Sequence, residues 1–171
     1  MIKQSYNSEL GNKLGNLHSR LTKFIASRFE SRIPPKGSLE EVDVKLRREC
    51  LSCAQGFASI FPLEQIPGHV ASAITSIERI NQYITEEAPW TLVKNSDTLE
   101  RCQTVIYVAL DCLRLVLEAL RQVIPRSAAA GLSSLGAESR QLRGDCWKPL
   151  LDKLKENGRL VNTDALFPRV E

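Results

Sequence analysis

Between Leu99 and Ile124 the residues Leu99, Cys102, Ile106, Leu110, Leu113, Leu117, Leu120 and Ile124 recur at steps of three and four. Such steps stack side chains on one face of an α-helix, whereas a strand needs a period of two. The same spacing governs Leu10, Leu14, Leu17, Leu21, Phe24 and Ile25 within a helix predicted over about 5–29. It returns in Leu39, Val42, Leu46, Cys50, Cys53 and Phe57, and in Val70, Ala73, Ile74, Ile77 and Ile84. No alternating pattern of useful length, internal repeat or low-complexity tract interrupts the series. Each stripe must bury its face against another, so the chain is expected to be all-α, a bundle of about five helices.

Punctuation between the stripes fits that order. Ser31 to Gly37 contains Pro34, Pro35 and Gly37 and reads as a loop. Ser38-Leu39-Glu40-Glu41 and Asp97-Thr98-Leu99-Glu100 have the form of capping boxes, in which a small polar side chain and a Glu three residues on satisfy free amides. Phe61-Pro62 closes the second helix, and the third begins near Pro67-Gly68. It must stop at about Ala88, because a residue before proline is pushed out of helical geometry. Thr91 to Ser96 reads as a short connection. Pro125 ends the fourth helix and starts a short fifth, with Gly136 as its C-terminal glycine. A further helix is expected around Trp147, Leu150, Leu151 and Leu154. Asn157-Gly158 reads as a turn, within a tail over about 155–171 that is expected to be largely extended.

At 171 residues the whole chain, 1–171, is expected to form one domain. The longest run without a charge, Cys50 to Leu63, spans 14 residues, too few for a membrane helix. The first nine residues lack the apolar core of a secretory signal, so no membrane partner is expected. Five cysteines do not suit a closed disulfide framework. Only two histidines, His18 and His69, are present, which excludes chemistry that needs clustered imidazoles. The net charge of +3 permits an anionic partner without implying one.

Few residues suggest chemistry. Cys50 and Cys53 have the spacing of half a zinc site, but Cys102, Cys112 and Cys146 supply no second pair, and both lie on an apolar stripe. They read as core thiols, and no metal site is expected. No phosphate loop is present, since Gly11 and Gly15 sit four apart inside a helix. Glu40-Glu41 suits a helix start, whereas Glu86-Glu87 stands at a helix end, where the macrodipole disfavours it. No catalytic residues emerge. Asn12, Asn16 and Arg20 line one polar flank of the first helix at four-residue steps. Trp90, fixed behind Pro89, is either folded inward as a lid or displayed for stacking.

Three segments carry a family resemblance. Leu14-Gly15-Asn16-Leu17-His18-Ser19-Arg20 is similar to the Leu-Gly-Asn-Leu-x-x-Arg motif in the first helix of the C-terminal anticodon-binding domain of methionyl-tRNA synthetase, a class I aminoacyl-tRNA synthetase. Asn81-Gln82-Tyr83 through Pro89-Trp90, followed by Lys94, resembles that family's Asn-x-Tyr-x-x-x-x-x-Pro-Trp segment. Leu166-Phe167-Pro168-Arg169-Val170-Glu171 is similar to the ending of the bacterial-type enzymes. One proline in Val123-Ile124-Pro125-Arg126-Ser127 departs from the two usual there. The family's catalytic signatures, His-x-Gly-His and Lys-Met-Ser-Lys-Ser, have no place in a chain whose histidines are fifty-one residues apart and whose only methionine is Met1.

The resemblance implies a module that binds tRNA(Met) through its CAU anticodon, with no cofactor of its own. ATP and methionine would bind a catalytic domain supplied in cis or in trans, and no DNA partner is implied. By motif, Asn16, Arg20 and Trp90 carry recognition, Pro89 supports the Trp, and Asn81 braces the turn in a lesser role. The implied setting is the cytoplasm or the mitochondrial matrix. Two other readings remain open: a helical protein-interaction module built on this bundle, and the related domain of another class I synthetase such as the cysteine or leucine enzyme.

Overall fold

The computed structural model describes residues 2–58, 63–137 and 154–161. The chain runs through α1 (Ile2–Arg28), α2 (Glu41–Ala58), α3 (Ile66–Glu87), the single turn α4 (Pro89–Leu92), α5 (Leu99–Leu120) and α6 (Pro125–Ser134). Short 3-10 turns at Leu63–Gln65 and Ser96–Thr98 precede α3 and α5. The expected all-α bundle is therefore present, with an isolated bridge between Arg32 and Arg159 as its one extended pairing among the described residues. No helix there is long and apolar enough to cross a membrane. The helix expected around Trp147 and the ending from Leu166 lie outside the described residues.

α5 is the axle. Helices α1, α2, α3, α4 and α6 all contact it, and every residue from Thr104 to Leu120 is buried. The sequence stripe marks one apolar face, but surrounding helices close over the others as well. The polar residues trapped by this arrangement are paired. Asp111 accepts from Arg47 (2.7 Å) and from Arg114 (3.0 Å), and Glu118 from Arg121 (3.1 Å). The cysteines on the stripes, Cys50, Cys53 and Cys102, are buried free thiols, as is Cys112. Burial pushes the Cys102 thiol up to about 11, so it stays protonated at neutral pH.

Helix starts differ from the two capping boxes. α2 begins at Glu41, so Ser38 lies outside it and Leu39 stays 43% exposed. The cap is built two residues later: Asp43 accepts the Glu40 amide at 2.8 Å. Before α5, Asn95 rather than Asp97 supplies the capping oxygen, accepting the Asp97 amide at 3.0 Å. In both places a residue with tertiary partners or a 3-10 turn outcompetes the local pattern. The Thr91–Ser96 connection is likewise partly helical, since α4 carries the chain from Pro89 to Leu92. Gly136, at φ +67°, ends α6 as expected.

After Leu154, whose carbonyl accepts the Tyr107 hydroxyl at 2.9 Å, the chain turns at Asn157 (φ 59°), as expected. It then runs beside the α1–α2 loop: Ile33 donates to Gly158, and Leu160 to Ser31, each at 2.8 Å. α1 is fixed from the other side by a buried polar contact. The Ser134 hydroxyl donates to the Gly131 carbonyl at 2.7 Å, so it accepts from His18 Nε2 at 2.6 Å. That leaves His18 Nδ1 buried without a partner.

Burial pushes the His18 imidazole from its ordinary 6.5 down to about 4. Between these values the unfolded chain binds the extra proton. Stability present above pH 6.5 is therefore lost as pH falls toward 4, by up to about 3 kcal/mol. Urea midpoints taken across this window should fall for the natural chain and run nearly flat for His18→Leu. A second expectation concerns Ala88, held at φ 43° and ψ 58°, a left-handed conformation unfavourable to side chains branched at Cβ. Ala88→Val should cost about 1–2 kcal/mol in thermal or urea unfolding, whereas Ala88→Gly should not.

Candidate functional site

α1 turns its leucine stripe inward, with Leu14, Leu17 and Leu21 at most 1% exposed. The same rotation leaves Asn12, Asn16 and Arg20 exposed in a line on its outer face. α1 also lies against α3, where Lys13 meets Glu78 at 2.6 Å. The C-terminal end of α3 thus comes to the polar flank of α1.

There the two halves of the predicted site meet. The Arg20 guanidinium carbon lies 4.7 Å from the centre of the Trp90 ring, a cation–π stack between residues seventy positions apart. Trp90 is displayed, not folded away, at 37% exposure. Pro89 is buried beneath it. The turn that aims the ring is tightly determined. Ala88 ends α3 in the left-handed region, its amide still bonded to the Ile84 carbonyl at 3.1 Å, and α4 starts at once with Thr91 donating back to Ala88 at 2.8 Å. The Pro89 carbonyl accepts from the Cys102 thiol at 3.4 Å, which ties α4 to α5.

Asn81 is half-buried, and its amide donates to the Ile77 carbonyl of its own helix at 3.2 Å. The bond given to the turn comes from elsewhere. Glu87, the last residue of α3, accepts from Arg101 at 2.7 and 3.2 Å. Arg101 also grips Asp43 through both terminal nitrogens, at 2.6 and 3.0 Å. The Tyr83 hydroxyl donates to Asp43 at 2.6 Å. One acid on α2, an acid and a phenol on α3, and one base on α5 therefore close a single knot behind the Trp90 turn.

Electrostatics agree with the geometry. Burial pushes the Asp43 carboxyl up, but the hydrogen bonds from Arg101, Tyr83 and the Glu40 amide, with the Arg101 charge, more than offset it, and the group titrates below its ordinary 3.8. Burial and the Asp43 bond raise the Tyr83 phenol well above its usual range. It remains a donor.

Sequence reasoning gave no role to Asp43 or Arg101, quoted Tyr83 only within the family motif, and noted Glu87 only as a charge at a helix end. A signal existed for two of them. Asp43 is a charge three residues before Leu46 on an otherwise apolar stripe, and Glu87 is a carboxylate at a disfavoured helix end. Neither pattern names its partner. Among the described residues no three His, Cys, Asp or Glu side chains gather to hold a metal ion.

The family model of the anticodon binding domain of methionyl tRNA ligase matches residues 70–171. The methionine–tRNA ligase of Clostridium acetobutylicum is 29% identical over 167 residues, covering 96% of this chain and 25% of that protein. That of Cereibacter sphaeroides (strain ATCC 17025) is 31% identical over 170 residues, covering 97% of this chain and 28% of the relative. This chain thus spans about a quarter of the length of these curated relatives. The apo crystal structure of Mycobacterium tuberculosis methionyl-tRNA synthetase shares the fold with a TM-score of 0.86 at 23% identity, over 97% of this chain and 33% of that one. The chain belongs to the family of methionyl-tRNA ligase anticodon-binding domains.

Proposed function

We propose that this chain recognises the CAU anticodon loop of initiator and elongator tRNAs of methionine, and positions the tRNA for charging by a catalytic domain supplied in cis or in trans. The observation that carries the reading is the Arg20–Trp90 stack, with an exposed ring on a rigid turn and Asn16 one helical turn away on the same flank. Single-stranded loop bases can be splayed out, stacked on an aromatic face and hydrogen-bonded along their edges. Trp90 stacks on the first anticodon base, and Asn16 and Arg20 read the edges beside it. Pro89 holds the ring in place.

The Trp90 ring attracts the Arg20 charge without neutralising it, so the guanidinium can still serve a base edge or a phosphate. Among the described residues no carboxylate pairs with Arg20. ATP and methionine are handled by the catalytic domain, because these residues carry neither of the family's catalytic motifs. The activity belongs wherever tRNA is charged, in the cytoplasm or the mitochondrial matrix.

Anticodon stem-loops bearing CAU and GAU separate this reading from its rivals. The natural chain should bind CAU more tightly, and Trp90→Ala should weaken CAU binding roughly ten- to hundredfold, the value of one base–aromatic stack. Equal binding of both loops at moderate salt, unaffected by the substitution, would sink the proposal. Arg20→Ala should also weaken CAU binding; a salt slope lower by about one would assign Arg20 to a phosphate, and an unchanged slope with lost discrimination would assign it to a base edge.

A further inference from the structure

The direction of the Trp90 ring is set by two things: where α3 stops, and the angle at which α4 leaves it. Both are controlled from the first turn of α5. Arg101 holds Glu87, one residue before the left-handed Ala88, at 2.7 and 3.2 Å. Cys102 holds the Pro89 carbonyl, one residue after it, at 3.4 Å. Adjacent residues of α5 therefore bracket the reversal on which Trp90 stands. We propose that Glu87 and Arg101 are positioning residues for anticodon recognition: their ion pair fixes the end of α3 so that Trp90 is aimed beside Arg20. The inference rests on the anticodon reading above.

Stability alone does not account for Glu87. Arg101 already has a complete partner in Asp43, which is fully buried and takes both terminal nitrogens of the guanidinium. The exposed Glu40 also lies 3.4 Å from its Nε, so a third carboxylate is not needed to neutralise it. Nor does Glu87 help its own helix, because a negative charge at a helix C-terminus opposes the macrodipole. Its neighbour Glu86 accepts, among the described residues, from Gln82 on the same helix, at 2.8 Å. What Glu87 adds is a tie between the last residue of α3 and α5, at the place where the backbone is held in an unfavourable conformation. Without it, the reversal at Ala88 keeps its local hydrogen bonds but loses the charged anchor that sets its angle.

The prediction is a coupling between Glu87 and Trp90 in RNA binding. Dissociation constants for the CAU stem-loop should be measured for the natural chain, Glu87→Ala, Trp90→Ala and the double variant. Glu87→Ala should weaken binding roughly five- to tenfold in the natural background and within about twofold in the Trp90→Ala background, as expected when one residue acts through the other. Glu87→Gln, which keeps an acceptor for Arg101, should recover part of the loss. Acrylamide quenching of Trp90 in a Trp147→Phe background supplies a readout without RNA, and Glu87→Ala should change it while the urea midpoint moves little. Equal losses in both backgrounds, or unmoved quenching, would overturn the positioning role. If Trp90→Ala leaves CAU affinity intact, the anticodon reading fails, and the quenching result alone judges whether Glu87 aims the ring.

Discussion

The contact on which the molecule most depends is the one between Asp43 and Arg101. A carboxylate with no exposed side-chain surface would be strongly destabilising alone, because water no longer solvates its charge. Here it accepts from the guanidinium twice, from the Tyr83 hydroxyl and from the Glu40 amide. Those four bonds come from α5, α3 and the start of α2. The same oxygens that cap one helix thus join it to two others, and none of the three can shift without exposing an unpaired charge. Apolar packing holds the bundle together, but it tolerates sliding. A buried, fully bonded ion pair gives the helices a register.

That register matters because it sets what the outer surface of the bundle presents, and on the reading proposed above that surface meets the anticodon loop. α5 lies buried along nearly its full length and presents almost nothing to solvent. Its contribution is indirect, through Arg101 on α3 and Cys102 on α4. α1 is placed by different means: its leucines enter the core, and His18 reaches Ser134 on α6. The neutral imidazole adds a directional bond where leucines alone would leave helix rotation loosely set. Two independent anchorings therefore converge, one orienting Arg20 and the other orienting Trp90, and the 4.7 Å stack is their meeting point.

Much of this was legible beforehand. The apolar stripes place α1, α2, α3 and α5 because helical periodicity is a property of local spacing, Pro125 and Gly136 bracket α6, and Pro89 marks the end of α3 because its ring excludes the helical conformation before it. Asn16, Arg20 and Trp90 were candidates from their positions, and the structure brings Arg20 and Trp90 into contact. The capping boxes illustrate what local patterns miss. Ser38 has the right spacing to cap α2, yet Asp43 takes the task because it is already committed to Arg101 and Tyr83. The pairing of residues 43, 87 and 101 depends on how helices dock, and spacing along one chain segment carries no record of that.

Net charge proved a weak guide for a related reason. An excess of +3 spread over 171 residues says little about binding to a polyanion. In this molecule many cations are spent internally: Arg101 on Asp43 and Glu87, Arg47 and Arg114 on Asp111, Arg121 on Glu118. Arg20 is different. Among the described residues it is held by an aromatic face, which attracts the guanidinium without neutralising its charge. A carboxylate partner would have fixed the side chain equally well and cancelled the charge in doing so. On the anticodon reading proposed above, such a cation beside a displayed ring lets discrimination between bases come from geometry and not from the overall field.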